Sequence, residues 1–127
     1  MPKKSINTKQ APAALGPYAQ ATELNGTLFV SGQIPIDPKT EKLVTGDIQL
    51  QTEQVLENLK AVLTKAGYGF QDVMKAEVFI DNMNEFAEMN QVYADYFTSN
   101  PPARACVEVA RLPKDVKVEI SLVAMKK

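Results

Sequence analysis

The stretch PARACVEVARLPKDVKVEI, from Pro102 to Ile120, determines the predicted fold of the C-terminal half of the chain. Two runs of alternating residues in this region predict β-strands, one beginning near Ala103 and one extending from Val116 to Met125, joined by Leu-Pro-Lys-Asp. Every second position of the later run is apolar: Val116, Val118, Ile120, Leu122 and Ala124. This spacing predicts a strand with one face packed beneath helices.

We expect these two strands to pair as a β-hairpin. If their apolar residues are matched, Val107 lies opposite Ile120, and Glu108 lies opposite Glu119. Two like charges placed in this way destabilise a sheet unless they are solvated, paired with a cation or neutralised by a raised pKa. The residues predicted to face away from the helices are Arg104, Cys106, Glu108 and Ala110. An ordinary solvated face and a functional face both fit this set.

Two helical patterns lie upstream of these strands. The first has apolar residues at helical spacing, namely Val55, Leu56, Leu59, Val62, Leu63 and Ala66. Asp47 is suited to be its N-cap, and Gly67 is suited to the left-handed position after its last turn. The second helix is predicted from about Asn84 to Thr98, with a stripe of Phe86, Met89, Tyr93 and Phe97. Pro101 and the proline after it then end the helix.

The remaining strands complete the predicted fold. Asn25-Gly26, between residues 20–24 and 27–31, predicts a β-hairpin with a type I′ turn. Residues 73–80 predict a further strand, and residues 3–7 are a candidate extra strand. The order β-β-α-β-α-β-β predicts an α+β fold in which both helices cover one face of the sheet. The uncovered face would then be available for function or for burial in an oligomer.

Size and charge limit the class of protein. At 127 residues the chain is expected to form one domain, residues 1–127. Lys and Arg total 14 against 15 Asp and Glu, and the only short basic runs lie at the termini, so nucleic acid is an unlikely partner. The chain has no apolar run of the roughly 20 residues that a membrane helix requires, so no membrane span is expected.

The single cysteine and the absence of histidine limit the chemistry. One cysteine cannot form an internal disulfide, which favours a reduced, cytoplasmic protein. Without histidine, a histidine-bearing triad and a histidine-ligated zinc site are excluded. The sequence also lacks a Walker loop, a GxGxxG motif and metal-ligand spacing, so no cofactor and no metal are expected.

Arg104 and Glu119 are the leading candidates for chemistry. Arg104 follows Pro102, which fixes the entry of the chain into the strand, and its planar guanidinium could bind a carboxylate through two parallel hydrogen bonds. Glu119 could position or deprotonate a water molecule. A surface ion pair for Arg104 and a solvated carboxylate for Glu119 explain the same pattern. The residues alone leave both interpretations open.

Five further residues are weaker candidates. Cys106 has no histidine to activate it, and a lone thiol in a strand usually packs as a small hydrophobic group. Asn90 lies on the apolar stripe of the second helix, where a buried amide needs a partner in a neighbouring loop or in a ligand. Tyr18, Ser31 and Gly32 lie near turns, from which they could line a cleft.

Five segments make the chain resemble the RidA (YjgF) family of imine/enamine deaminases over nearly its whole length. They are APAALGPYAQA, FVSGQIPIDPKTE, NLKAVL in the first helix, KAEVFIDNMNEFAEMNQVYADYF and PARACVEVARLPKDVKVEI. The resemblance implies a chorismate-mutase-like fold. It also implies a homotrimer in which the sheets form an inner β-barrel, with clefts at the subunit interfaces.

The resemblance further implies the hydrolysis of short 2-imino acids, such as 2-iminopropanoate and 2-iminobutanoate, to 2-keto acids and ammonia. By position, Arg104 corresponds to the residue that grips the substrate carboxylate, and Glu119 to the one that orients water. The implied cleft also includes Tyr18, Ser31, Gly32, Asn90 and the backbone at Cys106. The alternative is a non-catalytic trimeric protein that senses 2-keto acids or amino-acid metabolites.

Two residues of the chain depart from the family pattern, and the predicted distance between Arg104 and Glu119 is long. Pro101 stands where many relatives have an aromatic residue, and Ser121 stands where many have a second acidic group. In the predicted hairpin, Arg104 lies four residues from Glu108, and hence about 13 Å from the level of Glu119. Within one subunit the two residues can therefore act together only if the register is different, the strand bulges, or the ligand and an ordered water bridge the gap. The alternative is that they act from adjacent subunits.

Overall fold

A computed structural model of the protein describes residues 2–127 and contains a six-stranded sheet covered on one face by two helices. The elements in chain order are Lys4–Ile6 (β1), Ala21–Leu24 (β2), Thr27–Gln33 (β3), Ile36–Asp37 (β4), Lys42–Leu43 (β5), Ile48–Ala66 (α1), Val73–Ile80 (β6), Phe86–Tyr96 (α2), Ala103–Glu108 (β7) and Val118–Met125 (β8). The main sheet has the order β1-β2-β3-β8-β6-β7, and β4 pairs with β5 separately. Among the strands of residues 2–127, only β6 and β7 pair in parallel, so the prediction of a mixed, mostly antiparallel α+β fold is confirmed.

The ends of α1 are set by its capping residues. The Asp47 side chain accepts a hydrogen bond from the Leu50 N–H at 2.9 Å, which satisfies one of the free donors of the first turn. Gly67 has φ 85°, a left-handed conformation that glycine adopts without steric cost. Both predicted ends are confirmed.

The other local predictions also hold, apart from the length of α2 and the start of β8, which lies at Val118 and not at Val116. Asn25 and Gly26 have φ values of 50° and 80°, as a type I′ turn between β2 and β3 requires. The candidate extra strand is β1, which pairs with β2. Helix α2 is shorter than predicted, because a 3₁₀ turn over Met83–Glu85 precedes its start at Phe86 and it ends at Tyr96.

The predicted C-terminal hairpin is wrong, because β6 lies between β7 and β8. Phe79 of β6 pairs with Val107 on one side and with Glu119 on the other. Glu108 is therefore opposite Ile80 and not opposite Glu119. The reason is the crossover through α2, which returns the chain to the far side of β6 and makes β7 a parallel neighbour.

The predicted orientation of β7 is also wrong. Its register places Arg104 level with Ala76, and Cys106 level with Val78, both of which are buried beneath the helices. Arg104 and Cys106 accordingly lie on the helix side of the sheet, whereas Val107 is 45% exposed on the open side. Alternation shows which residues of a strand share a face, but the partner strand decides which face that is.

Strand β8 has the predicted orientation. Its apolar residues are buried under the helices: Val118, Ile120, Leu122 and Ala124. Glu119 and Ser121 lie on the open face, together with Phe29 of β3, which is 57% exposed. No helix within residues 2–127 is long and apolar enough to cross a membrane. Those residues also contain no group of three potential metal ligands of the His, Cys, Asp and Glu types.

Candidate functional site

The Arg104 side chain extends from β7 against α2 and is held there by three neighbours. Its Nη1 donates a hydrogen bond to the Asn90 Oδ1 at 2.7 Å. The guanidinium carbon lies 4.7 Å from the centre of the Tyr93 ring and 5.4 Å from that of Phe86, distances at which cation–π attraction operates. Within residues 2–127, no carboxylate lies within 4 Å of the guanidinium nitrogens. The cation is thus held in place and forms no salt bridge with any residue from 2 to 127.

A pocket of about 450 Å³ opens beside this guanidinium. Its lining consists of Asn90, Tyr93, Ala94, Phe97, Pro101, Pro102 and Arg104. Apart from Asn90, Arg104 and the Tyr93 hydroxyl, the side chains of the lining are apolar. The arrangement suits a small ligand with a carboxylate at one end and an apolar group at the other.

Glu119 belongs to a second group of residues, on the open face of the sheet. It packs against Gly32, where the pairing of β3 with β8 shifts its register between Val30 and Gln33. A Cβ atom on Gly32 would lie 2.9 Å from the Glu119 Cδ, closer than real Cβ contacts come, so the carboxylate occupies the space that a side chain would need. Burial raises the pKa of Glu119.

Tyr18 and Ser31 adjoin this second group. Tyr18, which is 56% exposed, lines a cavity of about 200 Å³ together with Gly32 and Lys114. Ser31 Oγ donates a hydrogen bond to the Ala19 carbonyl oxygen at 2.6 Å, which ties the end of β3 to the segment that carries Tyr18. Tyr18, Ser31, Gly32 and Glu119 are therefore neighbours.

The two groups do not meet within one chain. Arg104 is level with Ala76 and Glu119 with Phe79, so they are separated by three residues along the strands, or about 10 Å. Strand β6 lies between their strands, which adds about 9 Å across the sheet. The two side chains also leave opposite faces of the sheet. A short ligand cannot contact both of them within a single subunit.

Comparison with known proteins shows the family to which the chain belongs. A family model described as Endoribonuclease L-PSP matches residues 8–126. The chain belongs to this family, also called RidA or YjgF. A RutC family protein of Pyrococcus horikoshii is 56% identical over 124 residues, which cover 98% of each chain. A 2-iminobutanoate/2-iminopropanoate deaminase of Salmonella typhimurium is 48% identical over 127 residues, again covering 98% of each.

Solved structures of the RidA family share the fold. The crystal structure of E. coli TdcF with bound serine matches with a TM-score of 0.93 and 45% sequence identity, covering 98% of this chain and 99% of that one. Agreement with such structures confirms the chorismate-mutase-like fold that the resemblance implied.

Cys106 has a packing role in this RidA-family chain. Its side chain is partly buried against the hydrophobic core. Burial raises the pKa of the thiol, although the nearby Arg104 charge acts in the opposite direction. A thiol with a raised pKa is mostly protonated at neutral pH and hence a poor nucleophile.

Two residues that contact Arg104, and Glu108 farther along β7, were not identified as site residues from the sequence. Phe86 and Tyr93 were assigned to the stripe of α2, and their spacing around Asn90 was the signal that all three share one face. Glu108 had no assigned role. Its Oε1 accepts a hydrogen bond from the Met83 N–H at 2.8 Å, so it joins the end of β7 to the turn that starts α2.

Proposed function

We propose that this RidA-family protein is a cytoplasmic hydrolase that converts short 2-imino acids, such as 2-iminopropanoate and 2-iminobutanoate, into 2-keto acids and ammonia. The observation that carries the proposal is the Arg104 guanidinium, which is fixed by Asn90 and two aromatic rings but has no carboxylate partner within residues 2–127. A planar cation in this state can bind the carboxylate of a ligand with its free N–H groups. The name of the Salmonella relative and the serine bound to TdcF agree with such a ligand.

In the proposed reaction, water adds to the electrophilic imine carbon. Glu119 accepts a hydrogen bond from the water and takes up one of its protons as the C–O bond forms. The imine nitrogen, protonated from solvent, becomes an amine as the water adds, which gives a neutral carbinolamine. Glu119 then returns its proton to this nitrogen, the C–N bond breaks and ammonia leaves, while the hydroxyl group gives its proton back to solvent as the C=O bond forms. One water and one imino acid thus give one keto acid and one ammonia, without a cofactor. Because the imine carbon is already electrophilic, correct positioning of substrate and water supplies most of the acceleration.

The environment of Glu119 suits this role. Half-burial next to Gly32 raises its pKa and brings the basicity of the carboxylate closer to that needed at neutral pH. Tyr18, Ser31 and Gly32 are its neighbours and would complete the water-binding side of the cleft. The backbone at Cys106 and the Asn90 amide would complete the carboxylate-binding side.

We place the complete site between subunits of a homotrimer. Arg104 lies on β7, the edge strand of the sheet, and is too far from Glu119 of its own chain for one small substrate. The exposed apolar residues of the open face, Phe29 and Val107, would be covered if the sheets of three subunits form an inner barrel. Arg104 and Asn90 of one subunit would then face Glu119 and Gly32 of the next.

The activity test couples an amino-acid dehydratase or oxidase to the protein and follows imine decay. We expect Arg104→Ala and Glu119→Gln to abolish the acceleration of imine decay. Arg104→Lys should lose most of it, because an ammonium group cannot form the two parallel hydrogen bonds of a planar guanidinium. Arg111→Ala is the matched control, since Arg111 is exposed and bonded to Asp115. If the wild-type protein leaves the spontaneous rate unchanged, the proposed activity is wrong.

The placement of the site between subunits has its own test. When Arg104→Ala and Glu119→Gln chains are co-refolded into mixed trimers, about one quarter of the interfaces should combine an intact Arg104 with an intact Glu119. We therefore expect about a quarter of the wild-type activity from two inactive parents. Mixed trimers without activity would show that both residues serve the same subunit, and a monomer in sedimentation would exclude the shared site.

A non-catalytic sensor of 2-keto acids or amino-acid metabolites is the second candidate. Arg104 would serve it equally well, because binding a carboxylate requires no chemistry, and several close relatives are named only as RutC family proteins. The two candidates differ at Glu119. Ligand binding unchanged in Glu119→Gln, together with no effect of the wild-type protein on imine decay, would favour the sensor. The endoribonuclease description of the family gains no support from the charge of the chain, which is −1 with no clustered cations.

A further inference from the structure

The Arg104 pocket contains one residue that packing alone does not explain. Tyr93 is only 6% exposed, and its buried hydroxyl has no partner at hydrogen-bond geometry within residues 2–127. Burial raises the pKa of this hydroxyl, and the nearby Arg104 guanidinium acts in the opposite direction. An unsatisfied buried hydroxyl costs free energy, so the polar atom does not stabilise the fold in this state. The ring, by contrast, lies under the Arg104 guanidinium at 4.7 Å. The useful contact of Tyr93 is thus the face of its ring.

The geometry of the guanidinium explains why this contact matters. Arginine has several rotatable bonds. The single hydrogen bond to Asn90 fixes one end of the forked guanidinium group but not the tilt of its plane. An aromatic ring stacked on the fork restricts that tilt, and Phe86 at 5.4 Å supports it less closely. A fork that is held in plane before the ligand arrives loses less freedom on binding a carboxylate through two parallel bonds.

We propose that Tyr93 is a positioning residue, whose ring fixes the plane of the Arg104 guanidinium for carboxylate binding while its hydroxyl is dispensable. This inference deepens the proposed function but rests only on carboxylate binding by Arg104. Tyr93→Phe keeps the ring and removes the unpaired hydroxyl, so it should bind ligand like the wild type and be at least as stable. Tyr93→Leu removes the ring and should weaken binding about tenfold.

The probe is 2-ketobutanoate, whose dissociation constant is measured by calorimetry without turnover. Tyr96→Leu is the matched control, because Tyr96 lies on the same helix but bonds Glu57 and packs against Phe70, outside the pocket. We expect Tyr96→Leu to lower the melting temperature and to leave the dissociation constant unchanged. In kinetic assays Tyr93→Leu should raise KM more than it lowers kcat, and Tyr93→Phe should restore both values.

The outcomes separate this inference from the proposed function. Equal affinity of Tyr93→Leu and Tyr93→Phe would overturn the positioning role, whether both variants bind like the wild type or both bind more weakly. Tenfold weaker binding in Tyr93→Leu alone would support the role, even if the wild-type protein proved inactive on imines. If the wild type does not bind 2-ketobutanoate more tightly than Arg104→Ala does, both the carboxylate site and this inference are wrong.

Discussion

Gly32→Ala tests the proposed role of Glu119 through the addition of a single methyl group. Gly32 is not among the glycines with a positive φ, so its backbone accepts alanine without strain. The new Cβ would lie 2.9 Å from Cδ and 3.2 Å from Cγ of Glu119, and closer still to Oε2. The substitution therefore acts on the position of the carboxylate, while its chemical nature stays the same.

The magnitude follows from the distance. Carbon atoms in contact prefer separations of about 3.5–4.0 Å, so the carboxylate must withdraw by roughly 1 Å. A displacement of that size from a productive geometry costs about a hundredfold in rate. We expect kcat to fall by that factor, which corresponds to about 2.7 kcal/mol of activation free energy. KM should change little, because the ligand carboxylate is bound by Arg104 and the added methyl group displaces Glu119, on the water-binding side of the cleft.

The assay is the coupled imine decay, supported by a double-mutant cycle. Adding Gly32→Ala to Glu119→Gln should cost little more than Glu119→Gln alone, because the group displaced by the methyl is already inactive. Gly69→Ala is the matched control, since Gly69 has φ −132° and the atoms nearest to its new methyl group belong to the end of the flexible Gln71 side chain. A well-folded Gly32→Ala protein with kcat within threefold of the wild type would refute the reasoning.

Two further outcomes are expected. Burial raises the pKa of Glu119 above its usual 4.5, and only the ionised form accepts a proton, so kcat/KM should fall on acidification with a midpoint above pH 4.5. Stopped-flow pH profiles check this, and Glu119→Gln should lack that limb; a midpoint at or below 4.5 contradicts it. Glu108→Ala should lower the unfolding free energy by about 1 kcal/mol relative to Glu108→Gln, which keeps an acceptor for the Met83 N–H. Urea denaturation measures the difference, and equal midpoints would show that the hydrogen bond from the Met83 N–H to Glu108 does not stabilise the fold.

Local signals in the sequence predicted most of the secondary structure correctly. Asp47 and Gly67 marked the ends of α1, and Asn25-Gly26 marked the first hairpin, because each acts through the backbone of its immediate neighbours. Pairing between distant strands has no such local signal. The position of β6 between β7 and β8 depends on where α2 returns the chain, so the predicted hairpin was wrong although both strands were identified.

The site was predicted in part for the same reason. Arg104, Glu119 and Asn90 were singled out by residue type and by resemblance, and the structure joins Arg104 to Asn90 by a hydrogen bond. The assignment of Arg104 to the open face was wrong, because the alternation of residues along a strand does not reveal which face of the sheet the helices cover. Tyr93 was overlooked as a site residue, since an aromatic residue on an apolar stripe is usually core.

The corrected orientation of Arg104 makes a binding role more favourable than the predicted one did. On the open face the guanidinium would be a solvated surface cation with little reason to adopt one conformation. On the helix side it gains Asn90 and the ring of Tyr93, and no carboxylate within residues 2–127 neutralises it. Because β7 is an edge strand, that side chain can still be approached from beyond the sheet. A partly desolvated, immobilised and unpaired cation at an accessible edge is more stable with an anion bound than without one, and that difference in free energy is what a carboxylate ligand would gain.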